Sequence, residues 1–545
     1  SKLNISSGSH INLIKQMNDI LSHRGPDADG LRLSNDSKCI FGHRRLSIID
    51  LDSKANQPMS SNCKKVHLVF NGEIYNFKEL KNLYLLDKKF NYNSDTSTLF
   101  NMLIKYQENA LKYLDGMFSF VFFDLKKKKI IFARDRFGIK PIYYQKKNDT
   151  IVFSSEIKPL ISFFNSNEID TKSTLNFFLK GSMDHNDKTF FKNISSLEAG
   201  EVGIFYKNKI KKRKYWNLIN KNNINNDENK TLKDLEILFQ KSIDKHLVSD
   251  RQIGLFLSGG TDSTALAHIL TKKLSSNFST FTYGFKNDKK FSEIDKAKIT
   301  INNLKIDNTY FEISENYVQD NMEKMVSILE SPFTSIRLFG VEAIYNFLKK
   351  TNIKVILEGD GGDELFGGYD YNFFPYLKGK YKNKNKLNNH IVDDLFNFTK
   401  LKKKSIKEQY QLFLNLIISN SYQYGSTSDG TPFVNIDLFN KDFLNSHIDE
   451  SFFKDEFKKQ TKRISDLKKS QYRDIYFIKL PRALKYKDRI SMNYGIEARI
   501  PFLDHHFAQN SFNLDDKYKI KNFNTRYIFK KILKKIKKNK IKFNK

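Results

Sequence analysis

The chain has 545 residues and carries 93 Lys and Arg against 61 Asp and Glu, a formal net charge of +32. That length exceeds what one hydrophobic core supports, so roughly two to four domains are expected, and no apolar run approaches the roughly 18 residues that cross a bilayer. The opening "SKLNISSGSHINLIK" lacks the apolar stretch and cleavage site of a secretory signal, and two cysteines are too few for a disulfide framework or a Cys-rich zinc site.

A cytoplasmic protein with no membrane partner is expected, with Cys39 and Cys63 as small buried residues. The positive charge alone suits a polyanion. However, Lys is abundant together with Asn, Ile and Phe throughout the chain, and no aromatic-studded RNA motif accompanies it, so no nucleic-acid partner is expected.

From Ser1 to about Leu218 the pattern is of short strands and hairpins: "KVHLVFNGEIY", "MFSFVFFDLKKKKIIFARD" and "IYYQKKNDTIVFSSE". The polar stretch "NLINKNNINNDENK" then reads as a linker, set at residues 219–230 between a first domain, 1–218, and a second, 231–545. Beyond it, "IGLFL", "FSTFTYGF" and "IKVILEGD" alternate with helical stretches, the pattern of a parallel sheet with crossover helices. From about Lys380 the chain reads as mostly helical. Its last block, "KKILKKIKKNKIKFNK", places nine Lys in sixteen residues, yet Ile532, Leu533, Ile536 and Ile541 keep a roughly helical spacing, as in one solvated helix with an apolar face.

Two glycine-acid loops carry the chemistry of the second half. "IGLFLSGGTDSTALAHIL" (Ile253–Leu270) reads as strand, glycine turn and helix, the layout of a phosphate loop without the Lys of a Walker A motif. Ser258, Gly259 and Gly260 aim backbone N–H groups at an anion, and a helix from Ser263 adds its positive end. Asp262 would repel a phosphate unless a cation lay between them, which points to Mg²⁺. In "ILEGDGGDELFGGY" (Ile356–Tyr369), Asp360, Asp363 and Glu364 follow a second strand, where open α/β sheets bind ligands.

With "DRISMNYGIEARIPFLDH" (Asp488–His505), these loops resemble the synthetase domain of glutamine-dependent asparagine synthetases of the bacterial B type, and "SGGTDS" resembles the pyrophosphate loop of ATP pyrophosphatases. In the first half, "HRGPDADG", "FGHRRLSIIDL", "QPM", "NGEIYN", "SDT", "DGMFSFVFFD" and "ARDRFGIKPIYY" resemble the same family's glutaminase domain, in order. The resemblance implies an Ntn-hydrolase α/β/β/α sandwich followed by an α/β parallel-sheet nucleotide-binding domain of the adenine nucleotide α-hydrolase type, with added helices. It implies ATP and Mg²⁺ as cofactors, and glutamine and aspartate as substrates. The aspartate side chain would be adenylated and then attacked by ammonia from glutamine, giving asparagine, AMP and pyrophosphate. The same chemistry on another carboxylate, such as a uronic-acid sugar, is the alternative, and a tRNA-modifying ATP pyrophosphatase is a more distant one. A homodimer is the default oligomer.

Residue by residue, the resemblance implies that Arg45 holds the glutamine α-carboxylate, that Glu73 and Asp95 hold its α-ammonium and side chain, and that Asn71 and the Gly72 N–H form an oxyanion hole. It places ATP against Leu257, Ser258, Gly259, Gly260, Asp262, Ser263, Tyr283, Glu358 and Gly359, metal at Asp262 and Asp363, and a catalytic carboxylate at Asp360. Arg24 and Asp27 read as a structural turn, and Arg134, Asp135 and Arg136 as an ion-pair network, rather than as chemistry.

Several positions depart from the family pattern. Glu358 stands where Ser is usual, Tyr283 where a smaller apolar residue is common, and Ser335 where Asp is often found. The family's N-terminal Cys nucleophile is absent, which implies a chain starting roughly ten residues inside its full-length form, ammonia-dependent at most. The chain stops at Lys545 just where the family's segment with a phosphate-contacting Lys begins, and Arg526 is expected to be a surface residue rather than a substitute for that Lys.

Overall fold

Phe118, Phe120 and Phe122 alternate with Ser119, Val121 and Phe123 along one strand, so that strand carries apolar side chains on both faces and needs cover on both. The computed structural model describes residues 7–84, 94–183, 186–220, 227–275, 278–288, 292–381, 387–401, 434–447 and 455–538, together with 405, 407 and 409, and it supplies both covers. The strands of the first half are β1 (Ala28–Leu33), β2 (Ile40–Arg45), β3 (Met59–Ser60), β4 (Val66–Ile74), β5 (Gly116–Asp124), β6 (Lys129–Arg134), β7 (Tyr143–Lys147), β8 (Thr150–Ser154), β9 (Ile194–Ser196), β10 (Glu201–Tyr206) and β11 (Lys209–Lys214).

Six of them form an antiparallel sheet in the order β11-β10-β6-β5-β4-β3. One face packs through Phe118, Phe120 and Phe122 on Leu99, Phe100 and Leu103 of the helix Asp95–Tyr106. The other face, through Val121 and Phe132, meets Tyr144 and Phe153 of the three-stranded sheet β8-β7-β9. The far side of that smaller sheet, Tyr143 and Val152, is covered by Met17 and Leu160 from the helices Ser7–Ile20 and Lys158–Phe164. The layers therefore run α/β/β/α, as the resemblance implied. These helices, absent from the strand-and-hairpin reading of the first half, are what close the sandwich.

The second half is built on β12 (Gln252–Phe256), β13 (Ser279–Phe285), β14 (Asn308–Ile313), β15 (Ile353–Leu357) and β16 (Glu497–Arg499), all parallel, in the order β14-β13-β12-β15-β16. The chain steps outward from β12 through β13 to β14, then returns to the other side of β12 as β15. The strand order thus reverses between β12 and β15, which is where a crevice opens in such sheets. The late segment expected to be helical donates β16, because Glu497–Arg499 leaves the helix Lys479–Asn493 at Gly495, whose φ is +63°.

Three smaller expectations are corrected and a fourth is met. The helix after the first glycine loop begins at Thr261, not Ser263. A helix, Glu228–His246, starts inside the stretch read as linker, capped by Asp227, whose side chain accepts from the N–H groups of Asn229 and Lys230; residues 221–226 lie outside the described residues. Cys39 is half-buried and Cys63 exposed, the latter in the tight surface turn that joins β3 to β4. The Lys-rich block forms the helix Tyr527–Lys538 with Ile528, Phe529, Ile532, Leu533 and Ile536 buried, so its apolar spacing does pack; residues 539–545 lie outside the described residues. Among the described residues no helix is long and apolar enough to cross a membrane.

Buried charges join the halves. Both guanidinium nitrogens of Arg24 grip the Asp488 carboxylate at 2.9 and 3.1 Å, and one also reaches Glu156 at 3.0 Å. Arg489 lies 3.0 Å from Glu156 and 2.7 Å from Glu330. The Glu330 carboxylate in turn accepts the backbone N–H groups of Ile157 and Lys158.

Candidate functional site

In the first half, β2, β4, the start of the helix Asp95–Tyr106 and the segment after Arg45 enclose a cavity of about 640 Å³. Arg45, Asn71, Gly72, Glu73 and Asp95 all line it, so the five positions expected to bind glutamine do converge. Gly72 has φ +135°, and a Cβ there would lie 2.0 Å from the Met117 carbonyl of neighbouring β5. Only glycine fits the backbone at this point of the cavity wall. The Asn71 Nδ2 and Glu73 Oε2 atoms are buried with no hydrogen-bond partner, and both belong to cavity-lining side chains. Unpartnered buried polar atoms are costly, which marks a place where a ligand's polar groups would be welcome.

Arg45 is held ready by the Asp52 carbonyl at 2.9 Å, the Asn56 side chain at 2.8 Å and the Asp50 carbonyl. Asp95 accepts the Ile74 N–H at 3.0 Å and the Thr96 N–H at 2.7 Å; burial pushes its carboxyl up to about 6 against those bonds. Burial, together with Asp95 and Glu497, raises Glu73 well above the usual carboxylate range, while Arg499 on β16 lies 3.5 Å away and pulls it down. Met492 and Glu497 also line this cavity, so the second half forms part of its wall.

Neighbouring charges in this half have structural roles. Arg134, Asp135 and Arg136 bind the backbone around them, and the Arg134 charge also acts on Asp135. Arg134 donates to the carbonyls of Gly138, Lys140 and Leu197, and Arg136 to those of Leu111 and Leu114. Asp135 accepts the N–H groups of Phe118, Phe137, Ile139 and Lys140. Arg24 is likewise more than a turn residue, since its partner Asp488 belongs to the second half.

In the second half the two glycine loops leave adjacent strands and touch. Gly259, at φ +69°, lies so close to the helix Ile294–Leu304 that a Cβ would meet the Ala297 nitrogen at 2.5 Å. The Ser258 hydroxyl accepts from the Gly260 N–H at 3.3 Å and pairs with the Ser263 hydroxyl at 3.0 Å, bending the loop over the N-terminus of the helix Thr261–Leu274. A Cβ on Gly362 would collide with the Asp262 carboxylate, and one on Gly359 would press on the Asp262 Cβ. The glycines of the second loop therefore admit Asp262 between the strands.

Asp262, Asp360, Asp363 and Glu364 gather there. Burial pushes Asp262 up to about 8; Arg526 pulls it down, while Asp363, Glu364 and Asp360 push with burial. Burial likewise raises Glu364 to about 7 and Asp360 to about 6, in both cases with help from Asp363. The Arg526 Nη1 sits 2.8 Å from Asp262 and 3.0 Å from Asp363. Arg526 was expected at the surface, and this is a correction: its φ of +54° immediately before the helix Tyr527–Lys538 turns the side chain inward, into a concentration of negative charge.

Leu257 is fully buried and presents its carbonyl to Thr282, and Tyr283 packs on Gly340, where a Cβ would come within 2.2 Å of the ring. Glu358 is 1% exposed; it accepts the Tyr345 hydroxyl at 2.6 Å and pairs with Lys487. Lys487 also lies 3.0 Å from Asp360, and burial lowers its ammonium to about 8. Sequence reasoning missed both cations of this crevice. Arg526 is 264 residues from Asp262, and no local pattern links them. Lys487 stood inside a recognised helical segment, among other Lys residues.

The fold and the two sites define a class: an amidotransferase-like sandwich fused to an ATP-pyrophosphatase-like parallel-sheet domain. A glutamine amidotransferase domain model matches residues 3–216, and an asparagine synthase model matches residues 234–542. The chain belongs to the asparagine synthase family and is a ligase of that type. It is 30% identical over 524 residues to glutamine-hydrolysing asparagine synthetase 1 of Bacillus subtilis, covering 95% of this chain and 80% of that protein. It is 31% identical over 381 residues to a Methanocaldococcus jannaschii protein named putative asparagine synthetase 2, covering 65% of this chain and 72% of that one. A Gibberella zeae protein named amidase chry2 is 25% identical, covering 92% of this chain and 78% of that one.

Proposed function

We propose that the second half, residues 231–545, adenylates a carboxylate, with aspartate the leading acceptor, and that the first half, 1–218, binds glutamine as the nitrogen donor. The observation that carries the reading is the meeting of two glycine-acid loops at the switch point between β12 and β15, with Arg526 and Lys487 facing the acids. Adenylation needs such a site. A carboxylate is a poor electrophile until one of its oxygens becomes part of a good leaving group. An acceptor oxygen forms a bond to the α-phosphorus of ATP as the bond to the bridging oxygen breaks, and the electron pair departs with pyrophosphate. Ammonia then adds to the acyl carbon, loses a proton, and AMP leaves.

Each residue has a share in this. The N–H groups of Ser258, Gly259 and Gly260 and the helix from Thr261 with Ser263 bind phosphate oxygens, and Leu257, Tyr283 and Gly359 enclose the adenosine. Mg²⁺ fits the crevice chemically, since its donors are hard oxygens and Asp262 Oδ1 is buried without a partner. Asp262 and Asp363 would hold the ion, which when bound neutralises charge on the pyrophosphate. Asp360, beside Lys487, would take the ammonia proton. In the first half, Arg45 binds the glutamine α-carboxylate, Glu73 and Asp95 its α-ammonium and side chain, and Asn71 with the Gly72 N–H the oxyanion of amide cleavage.

Pyrophosphate release from ATP, with ammonia as nitrogen donor and a panel of carboxylates, tests the reading. Release with aspartate supports it. Release with another acid, such as a uronic-acid sugar, while aspartate is inert would reassign the acceptor, and none with any acid would overturn adenylation.

A further inference from the structure

Glu358 sits where a negative charge is out of place. It follows β15, is buried, and shares Lys487 with the Asp360 carboxylate, in a site proposed to receive a polyphosphate. Burying a carboxylate there is costly unless a cation and hydrogen bonds compensate. Both are present. The Tyr345 hydroxyl donates to one oxygen at 2.6 Å, and the Lys487 ammonium pairs with the other.

Lys487 belongs to the helix Lys479–Asn493 and projects between the ends of β12 and β15, 5.5 Å from the centre of the Phe256 ring and 3.0 Å from Asp360. Its neighbour Asp488 is clamped by Arg24, so the helix backbone is fixed, while the long Lys side chain has its own rotamers to lose. Glu358, anchored through Tyr345, removes that freedom.

We infer that Glu358 is a positioning residue: it fixes the Lys487 ammonium at the switch point, where that cation meets the α-phosphate oxygens of ATP as the acceptor oxygen bonds to phosphorus. This rests on the adenylation reading above and assigns Glu358 to the cation rather than to the nucleotide. A cation held in advance costs no reorganisation at the transition state, whereas a free Lys would satisfy itself on Asp360 alone.

The test compares Glu358→Gln and Glu358→Asp with the parent in ammonia-supported pyrophosphate release, with ATP affinity measured separately by equilibrium binding. Gln keeps the size and the Tyr345 bond and loses only the charge. The expected result is a kcat lower by about 10²-fold with ATP affinity within about threefold of the parent, and recovery of at least about tenfold with Asp. Equal impairment of both variants, or an effect on ATP affinity alone, would overturn the positioning role. If Glu358→Gln loses its cooperative thermal transition, Lys487→Met reads the same contact from the other side. A kcat loss with ATP binding retained supports the inference, and an unchanged kcat refutes it. A parent that releases no pyrophosphate with any carboxylate overturns the adenylation reading and this inference with it. A working parent matched by Glu358→Gln removes only the role of Glu358.

Discussion

Replacing Arg526 by Met removes the cation that bridges the two glycine loops. Its Nη1 stands 2.8 Å from Asp262 and 3.0 Å from Asp363. At an effective dielectric of about 20, each such contact is worth roughly 5–6 kcal/mol of gross attraction, most of it offset by taking the ions out of water. What survives for catalysis is the loss of one pre-aimed cation opposite developing phosphate charge, about 2.7–4 kcal/mol or 10²–10³ in kcat. Arg526→Met is therefore expected to lower ammonia-supported pyrophosphate release by that factor, and Arg526→Lys by less, since Lys keeps the charge but not the fork. Stopped-time pyrophosphate assays at saturating ATP, with thermal unfolding as a control on folding, give the comparison. A folded Arg526→Met protein within about threefold of the parent rate would refute the placement of this cation at the reacting phosphates.

Other perturbations test other parts of the account. Arg24→Met strands the buried Asp488 carboxylate and is expected to cost about 3–5 kcal/mol of stability in denaturant unfolding; a loss below about 1 kcal/mol would mean the halves do not depend on that clamp. Glu73→Gln removes the charge at one unpartnered cavity atom and Asn71→Ala removes the other atom, and each is expected to weaken glutamine binding about tenfold or more by calorimetry while leaving ammonia-supported activity intact; unchanged glutamine affinity in both would move the donor site elsewhere. Lys487 must be protonated to act, and burial lowers it to about 8, so pyrophosphate release under saturating substrates is expected to fall as pH rises through about 8. Its contribution to stability runs the other way: between about 8 and its ordinary 10.5 the unfolded chain binds the extra proton, so stability from this group rises with pH in that window. A rate flat to pH 10 would remove Lys487 from the chemistry.

Short β-rich runs separated by turn residues made β4, β5, β6 and the β7–β8 hairpin readable, because each run and its turn are local in the sequence. The buried runs of β12, β13 and β15 were equally plain, and the loops that follow β12 and β15 carry their chemistry in consecutive residues. The sandwich-closing helices of the first half and strand β16 were not readable. Glu497–Arg499 is too short for any pattern, and it becomes a strand only because β15 offers an edge. The same limit hid Arg526 and Lys487. Each is one basic residue among 93, and what distinguishes them is a carboxylate cluster brought close by the fold. Glu358 was visible as a departure from the family pattern, but the partner that gives it meaning lies on another helix.

The most direct measurement follows oxygen. If an acceptor carboxylate attacks the α-phosphorus, aspartate labelled with heavy oxygen in its side-chain carboxylate must pass one labelled oxygen to AMP during turnover with ATP and ammonia. Mass spectrometry of the nucleotide product is predicted to show AMP carrying a single heavy oxygen and pyrophosphate carrying none. Label appearing in inorganic phosphate alongside ADP, or unlabelled AMP from a reaction that consumes aspartate, would contradict adenylation at the crevice between β12 and β15.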